Sequence, residues 1–167
     1  MRPVLLDSSI YITALRAGED AVLMMRRLAP EAPVWLSAVV LEELYAGVTG
    51  RGRRVVERLE RDFDRARRIL VPNLTDWAQT GKVLARLAAE YGYEEIGQAR
   101  LTNDALIAMS AARQGMTVLT TNERDFAQQV PPVHVGGGDQ SLRHGPIRVG
   151  RGRLSGIPSH TDEFTPR

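Results

Sequence analysis

Short apolar segments that alternate with helical patterns are the feature of this sequence that most limits its fold. Four segments have the length and composition of buried strands: residues 3–6, 34–36, 69–71 and 116–121. Strands that are apolar throughout and are separated by helices indicate parallel connections with both faces of the sheet covered. The sequence therefore predicts an α/β fold, a three-layer α/β/α sandwich around a central parallel sheet.

Periodic apolar residues and capping residues predict the helices between these strands. One helix follows Asp7 and closes at Gly18, and a second runs from Asp20 to Leu28. Ser37 is placed to cap the third helix. Three more helices follow: an arginine-rich one with Val55, Leu59 and Phe63 on one face, one over 75–91, and one with Thr102 as N-cap and Gly115 as C-cap.

The 167 residues predict one main domain and an extension. We expect the folded domain to span 1–135, with a last short strand at 133–135, and 136–167 to be a flexible tail rich in Gly, Arg and Pro. No apolar stretch approaches the ~18 residues of a membrane span, so no membrane association is expected.

Two residue types narrow the chemistry that the domain can perform. The chain has no cysteine, and its three histidines, His134, His144 and His160, all follow the periodic part of the sequence. The absence of thiols excludes disulfides and thiolate metal sites and fits a cytoplasmic protein. A catalytic triad or an imidazole zinc site is excluded from the core, so carboxylates and hydroxyls must carry the chemistry.

Four carboxylates stand where an isolated charge would be costly to bury. Asp7 ends the first strand, Glu43 lies in an apolar helix, Asp104 opens another, and Asp125 follows the last strand by a few residues. Hard cations such as Mg²⁺ or Mn²⁺ take oxygen ligands and let carboxylates cluster. Such an ion polarises a phosphodiester and activates water without histidine.

Each carboxylate also has a simpler interpretation. Asp7 is suited to cap the helix that follows it, and Asp104 to interact with a helix dipole. Glu43 is a candidate for the solvent face, with Glu42 the more inward of the two. Asp125 is suited to cap a short turn around Phe126. The sequence alone leaves these alternatives open.

The arginine-rich segment 51–68 holds eight arginines and four acids. Such an excess of positive charge attracts phosphate. An equally good interpretation is a solvated helix whose arginines pair with acids one turn away.

The order and context of the four carboxylates resemble those of the PIN-domain nucleases, and within them the VapC-type toxins of bacterial toxin-antitoxin pairs. The resemblance covers about residues 3–135. Four segments carry it: 5-LLDSSIYI-12, 37-SAVVLEELYAGV-48, 103-NDALIAMSAARQG-115 and 117-TVLTTNERDF-126. Four spaced motifs in one order are more specific than any short pattern alone.

The resemblance implies a PIN fold and a Mg²⁺ or Mn²⁺ site with Asp7 and Asp104 as its principal ligands. Glu43 is chosen over Glu42 because the family's glutamate directly precedes a leucine. The fourth acidic position is divided between Asn122, where many members have an aspartate, and Asp125. Hydroxyls that would hold the carboxylates come from Ser8, Ser9 and Thr120.

The same resemblance implies an endoribonuclease toxin with RNA as substrate, a cognate antitoxin as partner, and a homodimer. A second interpretation keeps the scaffold without the activity: a noncatalytic PIN-like module that binds a partner. A phosphoaspartyl enzyme is disfavoured, because Ser9 stands where a haloacid-type phosphatase has its second aspartate and the only lysine, Lys82, lies mid-helix.

Overall fold

A computed structural model of the chain describes residues 2–18, 20, 24–25, 28–91, 101–121 and 148–151. Within them the strands and helices follow one another along the chain in this order: β1 (Val4–Leu6), α1 (Ser8–Arg16), β2 (Val34–Ser37), α2 (Ala38–Gly47), α3 (Arg51–Arg65), β3 (Ile69–Leu70), α4 (Leu74–Tyr91), α5 (Leu101–Arg113), β4 (Thr117–Thr120) and β5 (Arg148–Arg151).

The strands form one sheet in the order β3-β2-β1-β4-β5, and every neighbouring pair is parallel. Helices flank this sheet, so the predicted three-layer α/β fold is confirmed. β1 is the central strand, and Leu5 and Leu6 are completely buried. Because parallel strands all end at the same edge, the residues that follow β1, β2 and β4 gather at one side of the molecule.

The helix boundaries follow the capping signals in most places. Ser37 Oγ accepts a hydrogen bond from Val39 N at 3.2 Å, as an N-cap does. Gly115 has a φ of +63° and lies two residues after Arg113, the last residue of α5. Gly115 N donates to Ala112 O and Met116 N to Ala111 O. This pair of bonds is a Schellman motif, which needs the left-handed conformation that glycine adopts without strain.

Two details of the helix predictions are wrong. Thr102 is not an N-cap, because α5 already includes Leu101, which packs into the protein interior at 7 % exposure. In α3 the inward face is formed by Val56, Leu59 and Phe63, whereas Val55 is 41 % exposed. The predicted face is therefore confirmed at Leu59 and Phe63 and wrong at Val55, because Val56 completes the apolar stripe instead.

The second predicted helix, 20–28, is described only at residues 20, 24, 25 and 28, of which the last three are helical. The strand expected at 133–135 lies outside the described residues. The structure differs from the expected tail at Arg148–Arg151, which pair with β4 as the edge strand β5. The domain boundary at residue 135 otherwise stays a prediction.

Among the described residues, no helix combines the length and the apolar character needed to cross a bilayer.

Candidate active site

The carboxyl edge of the central strands carries the first of the predicted site residues. Asp7 directly follows β1, and its backbone N–H donates to Leu119 O of β4 at 2.9 Å, which extends the β1–β4 ladder by one residue. Thr120 ends β4 on the other side of the same ladder. The sheet itself therefore fixes Asp7 beside Thr120.

The Asp7 carboxylate is held by two hydroxyl groups. Asp7 is 7 % exposed, and its Oδ2 accepts hydrogen bonds from Ser9 Oγ at 2.7 Å and from Thr120 Oγ1 at 3.0 Å. The two hydroxyl oxygens lie 3.3 Å apart, and Thr121 N donates to Ser9 Oγ at 3.3 Å. Both described hydrogen bonds fall on Oδ2, so the carboxylate is oriented through one of its oxygens.

The capping interpretation of Asp7 is wrong. Asp7 occupies the N-cap position of α1, but its side chain makes no capping hydrogen bond to the backbone. The carboxylate contacts the Ser9 and Thr120 hydroxyls instead. A capping aspartate would satisfy the backbone N–H groups of the first turn, so this carboxylate is placed for another purpose.

Glu43 is the inward member of the glutamate pair in α2. Glu43 is half-buried and Glu42 exposed, which contradicts the alternative that Glu42 faces inward. Glu43 Oε1 accepts a hydrogen bond from Asn103 Nδ2 at 2.9 Å, whereas Glu42 Oε2 lies 3.5 Å from the same nitrogen. Glu43 Oε2 is buried and has no hydrogen-bond partner in the described part of the chain.

Asp104 lies in the first turn of α5 and is half-buried. It directly follows Asn103, the residue that donates to Glu43, so the N-terminal turn of α5 brings Asp104 to the neighbourhood of α2. Its position also suits the positive end of the helix dipole. The structural and the functional interpretations of Asp104 are therefore compatible.

The remaining predicted residues have different outcomes. Ser9 and Thr120 hold Asp7 as expected. Ser8 is half-buried at the start of α1 and forms no side-chain hydrogen bond to another described residue. Asn122 and Asp125 lie outside the described residues, so the division of the fourth acidic position between them stays a prediction.

Two polar residues with clear roles were not selected from the sequence. Asn103 joins Glu43 to the helix that carries Asp104, and the only signal for it is that it directly precedes Asp104. Asp76 is completely buried; its carboxylate accepts from Arg113 Nε at 2.9 and 3.1 Å and from Asn73 N at 2.9 Å. Asp76 reads in the sequence as an ordinary first-turn acid, because its partner Arg113 is distant along the chain.

The donor chemistry of the site fits a hard divalent cation in part. A buried glutamate oxygen without a partner, Glu43 Oε2, is costly unless a cation or a proton satisfies it, and the oriented Asp7 carboxylate supplies a second oxygen donor. Within the described ranges, however, no three acidic side chains come together as a metal-binding group. A complete ligand set would therefore need a contribution from residues outside these ranges, or from a substrate.

Comparison with protein families gives one decisive match. The pattern of the PIN domain matches residues 4–130, which is most of the chain. The chain belongs to the PIN-domain family. The matched region includes Asp7, Glu43 and Asp104, and it also extends over Asn122 and Asp125. PIN domains are typically nucleases that use divalent metal ions, so membership favours hydrolysis of phosphodiester bonds as the chemistry of this PIN domain.

Solved structures with the same fold agree with this assignment. This PIN domain resembles a chain of DNA-bound VapBC from Salmonella typhimurium, with 21 % identity, a TM-score of 0.60, and coverage of 92 % of this chain and 100 % of the other. A chain of VapBC2 from Rickettsia felis is 20 % identical, with a TM-score of 0.59 and coverage of 89 % of this chain and 97 % of the other. A chain of FitAcB from Neisseria gonorrhoeae is 27 % identical, with a TM-score of 0.54 and coverage of 75 % of this chain and 92 % of the other. No curated protein matches the sequence.

Proposed function

We propose that this PIN domain is a Mg²⁺-dependent endoribonuclease, with Mn²⁺ as an alternative ion, and that it acts in the cytoplasm as the toxin of a VapBC-type toxin-antitoxin pair. The observation that carries the proposal is the Asp7 carboxylate. It is buried at the carboxyl end of the central strand, oriented by Ser9 and Thr120, and released from the capping role that its position would otherwise give it.

The roles of the residues follow from their placement. Asp7 and Asp104 would be the principal ligands of the ion, and Glu43, with its unpartnered Oε2, would accept a proton or contact the ion from the side of α2. Ser9 and Thr120 would hold Asp7 in one orientation. Asn122 and Asp125 complete the proposal as the candidates for the fourth position.

A bound divalent ion would neutralise the charge of the scissile phosphate and activate the attacking water. The protein's own contribution is to keep carboxylate oxygens desolvated and oriented before substrate arrives, so that little reorganisation is needed during the reaction. The expected products carry a 5′ phosphate and a 3′ hydroxyl.

The proposed partners are an antitoxin and a second copy of the chain. Support for the antitoxin comes from the solved structures with the same fold, which include several VapBC and FitAB structures. The homodimer rests on the resemblance to the VapC-type toxins.

The proposal is tested by incubating the purified chain with a mixed pool of cellular RNA and sequencing the new RNA ends, with Mg²⁺, with Mn²⁺ and with a chelator. Asp7→Asn keeps the size of the side chain and removes its charge, and it should abolish cleavage. Glu42→Gln is the matched control, because it removes an exposed carboxylate one residue from Glu43, and it should leave cleavage unchanged.

Equal cleavage by the parent chain and Asp7→Asn would rule out the site. No cleavage by the parent with either ion, together with antitoxin binding, would favour the noncatalytic partner-binding module instead. Cleavage by the parent that the chelator stops, and that Asp7→Asn lacks, would support the proposal and identify the RNA target.

A further inference from the structure

Four arginines of α3 form a row on the face opposite its buried side. Arg54, Arg58, Arg61 and Arg65 recur at intervals of four, three and four residues, which places them on one face of a helix. The apolar stripe of Val56, Leu59 and Phe63 faces the core on the other side. All four arginines are exposed. We call these four residues the arginine row.

The arginine row is not neutralised by the acids of its own helix. No ion pair or hydrogen bond joins any of the four to another described residue. The acids lie on the flanks of the helix, where Glu57 pairs with Arg53 at 3.3 Å and Glu60 accepts from Tyr45 Oη at 2.5 Å. The pairing with acids one turn away that the solvated-helix interpretation expects is present at Arg53–Glu57 but, among the described residues, at none of these four arginines.

The dimensions and composition of the row fit a polyanion. Its ends are separated by 11 residues, or about 16 Å along the helix axis, and neighbouring members are about 5–6 Å apart at their β carbons. The row contains no apolar side chain, whereas a protein interface usually has an apolar centre. Regularly spaced guanidinium groups without a hydrophobic anchor match a chain of phosphates.

We propose that the arginine row binds the phosphate backbone of the RNA substrate at a distance from the cleavage site. This inference rests on the proposed function for the identity of the polyanion. The row contributes affinity that does not depend on sequence, because it contacts phosphates and not base edges.

The attachment of α3 to α2 holds the arginine row in a fixed position relative to the helix that carries Glu43. The Tyr45–Glu60 hydrogen bond joins the two helices, and Tyr45 lies two residues from Glu43 on α2. RNA bound along the row is thereby held at a constant position relative to the carboxylates, which favours repeated engagement of the same strand by the site.

The test measures binding of a single-stranded RNA of mixed sequence to the full chain carrying Asp7→Asn, in chelator, over a range of salt concentrations. The logarithm of the affinity falls with the logarithm of salt by about 0.7 for each phosphate contacted on a single strand. The double variant Arg58→Gln with Arg61→Gln should therefore reduce this slope by about 1.4. Arg16→Gln with Arg86→Gln is the matched control, since it removes two exposed arginines from α1 and α4, and it should keep the parent slope.

An unchanged slope in the row variant, or an equal loss in both double variants, would overturn the proposal. The proposal would also be overturned if polyglutamate competed with RNA at equal charge and the row variant weakened the binding of both polymers equally. That result would favour an acidic protein partner. If the parent chain cleaves no RNA and the slope still falls as expected, the nuclease assignment fails while the RNA-binding row stands. If the parent cleaves RNA and the slope of the row variant is unchanged, the nuclease assignment stands and the RNA-binding row fails.

Discussion

Asn103 Nδ2 lies 2.9 Å from Glu43 Oε1 and joins the first turn of α5 to α2. The contact links two segments that are 60 residues apart in the sequence, and each of them carries one of the predicted site carboxylates. It leaves Glu43 with one oxygen that is held and one, Oε2, that is buried and has no partner among the residues that the structure describes.

Asn103→Ala should lower RNA cleavage by about 10- to 100-fold, the usual effect of removing a residue that orients a functional carboxylate. The loss arises because Glu43 is no longer held, so Asn103→Gln, which keeps the amide, should restore part of the activity. The measurement is the cleavage rate against Mg²⁺ concentration, in which a positioning role predicts that more ion is required. A drop in activity that parallels a drop in thermal stability, with no change in ion requirement, would contradict this role.

Thr120→Val should weaken the site by removing one of the two donors to Asp7 Oδ2. Valine has nearly the same shape, so the main change is the lost hydrogen bond to a charged group, which costs about 1.5–3 kcal/mol of stability. Thr117→Val, on the same strand with its side chain on the opposite face of the sheet, is the control and should change neither stability nor cleavage substantially. Denaturant unfolding and RNA cleavage are measured on both variants, and equal effects in the two would refute the prediction.

Asp76→Ala should destabilise the protein by about 1.5–3 kcal/mol, because it removes a completely buried carboxylate together with its hydrogen bonds to Arg113, whose side chain is 24 % exposed. The same carboxylate also accepts from Asn73 N, and Asn73 Oδ1 accepts from Asp76 N at 3.0 Å, so the start of α4 loses its cap. Calorimetric melting gives the stability. Cleavage per folded molecule at low temperature should equal that of the parent, and a selective loss of cleavage would show that Asp76 belongs to the site.

Arg67→Gly should stabilise the fold by about 1 kcal/mol. Arg67 has a φ of +52°, where a side chain is strained, and it closes α3 through bonds from Arg67 N to Asp64 O and from Arg68 N to Phe63 O, each 2.9 Å. Glycine adopts this conformation freely. Arg61→Gly, at an exposed position in the interior of α3, should instead destabilise by about 1 kcal/mol. Urea unfolding of both variants distinguishes the two effects, and destabilisation by Arg67→Gly would count against the strain.

The Tyr45 hydroxyl should lose its proton at a higher pH than an ordinary tyrosine. Its hydrogen bond to Glu60, together with partial burial, raises the pKa of Tyr45 from 10.0 to about 12. Because the folded-state pKa is raised, the stability that this contact contributes is complete below pH 10 and is lost as the pH rises through about 12. Absorbance titration of tyrosinate in the parent minus Tyr45→Phe should show this late component, and Glu60→Gln should move it back towards 10. A difference titration centred at 10 in the parent would contradict the prediction.

The sheet and its site-facing edge could be read from the sequence because local patterns determine them. Strands β1 to β4 are short apolar runs, and Asp7 and Thr120 stand at the ends of two of them, so a parallel topology places both residues at the same edge of the sheet. The direction of Glu43 was predicted only through the leucine that follows it, since two adjacent glutamates on a helix give no local signal for which one faces inward.

Other features depend on contacts between distant residues, for which local sequence patterns are weak or misleading signals. Val55 was assigned to the inward face of α3 in place of Val56, because the two adjacent valines fit an apolar stripe about equally well and only packing decides between them. The start of α5 was placed too late because a threonine resembles a cap even when Leu101 is drawn into the core. The pairing of Arg148–Arg151 with β4 was not predicted, because this segment is not an apolar run.

By itself, the sequence determined the class of fold, the order of its main elements and the absence of thiol chemistry, and it predicted which few carboxylates act. Those properties depend on residue type and on spacing along the chain. Only the tertiary structure decided that Asp7 is held by Ser9 and Thr120, that Asn103 contacts Glu43, that Asp76 pairs with Arg113, and that four arginines of α3 have no acidic partner among the described residues. Each of these depends on which groups meet after folding, because hydrogen bonds and ion pairs act over a few ångströms, whatever the separation in sequence.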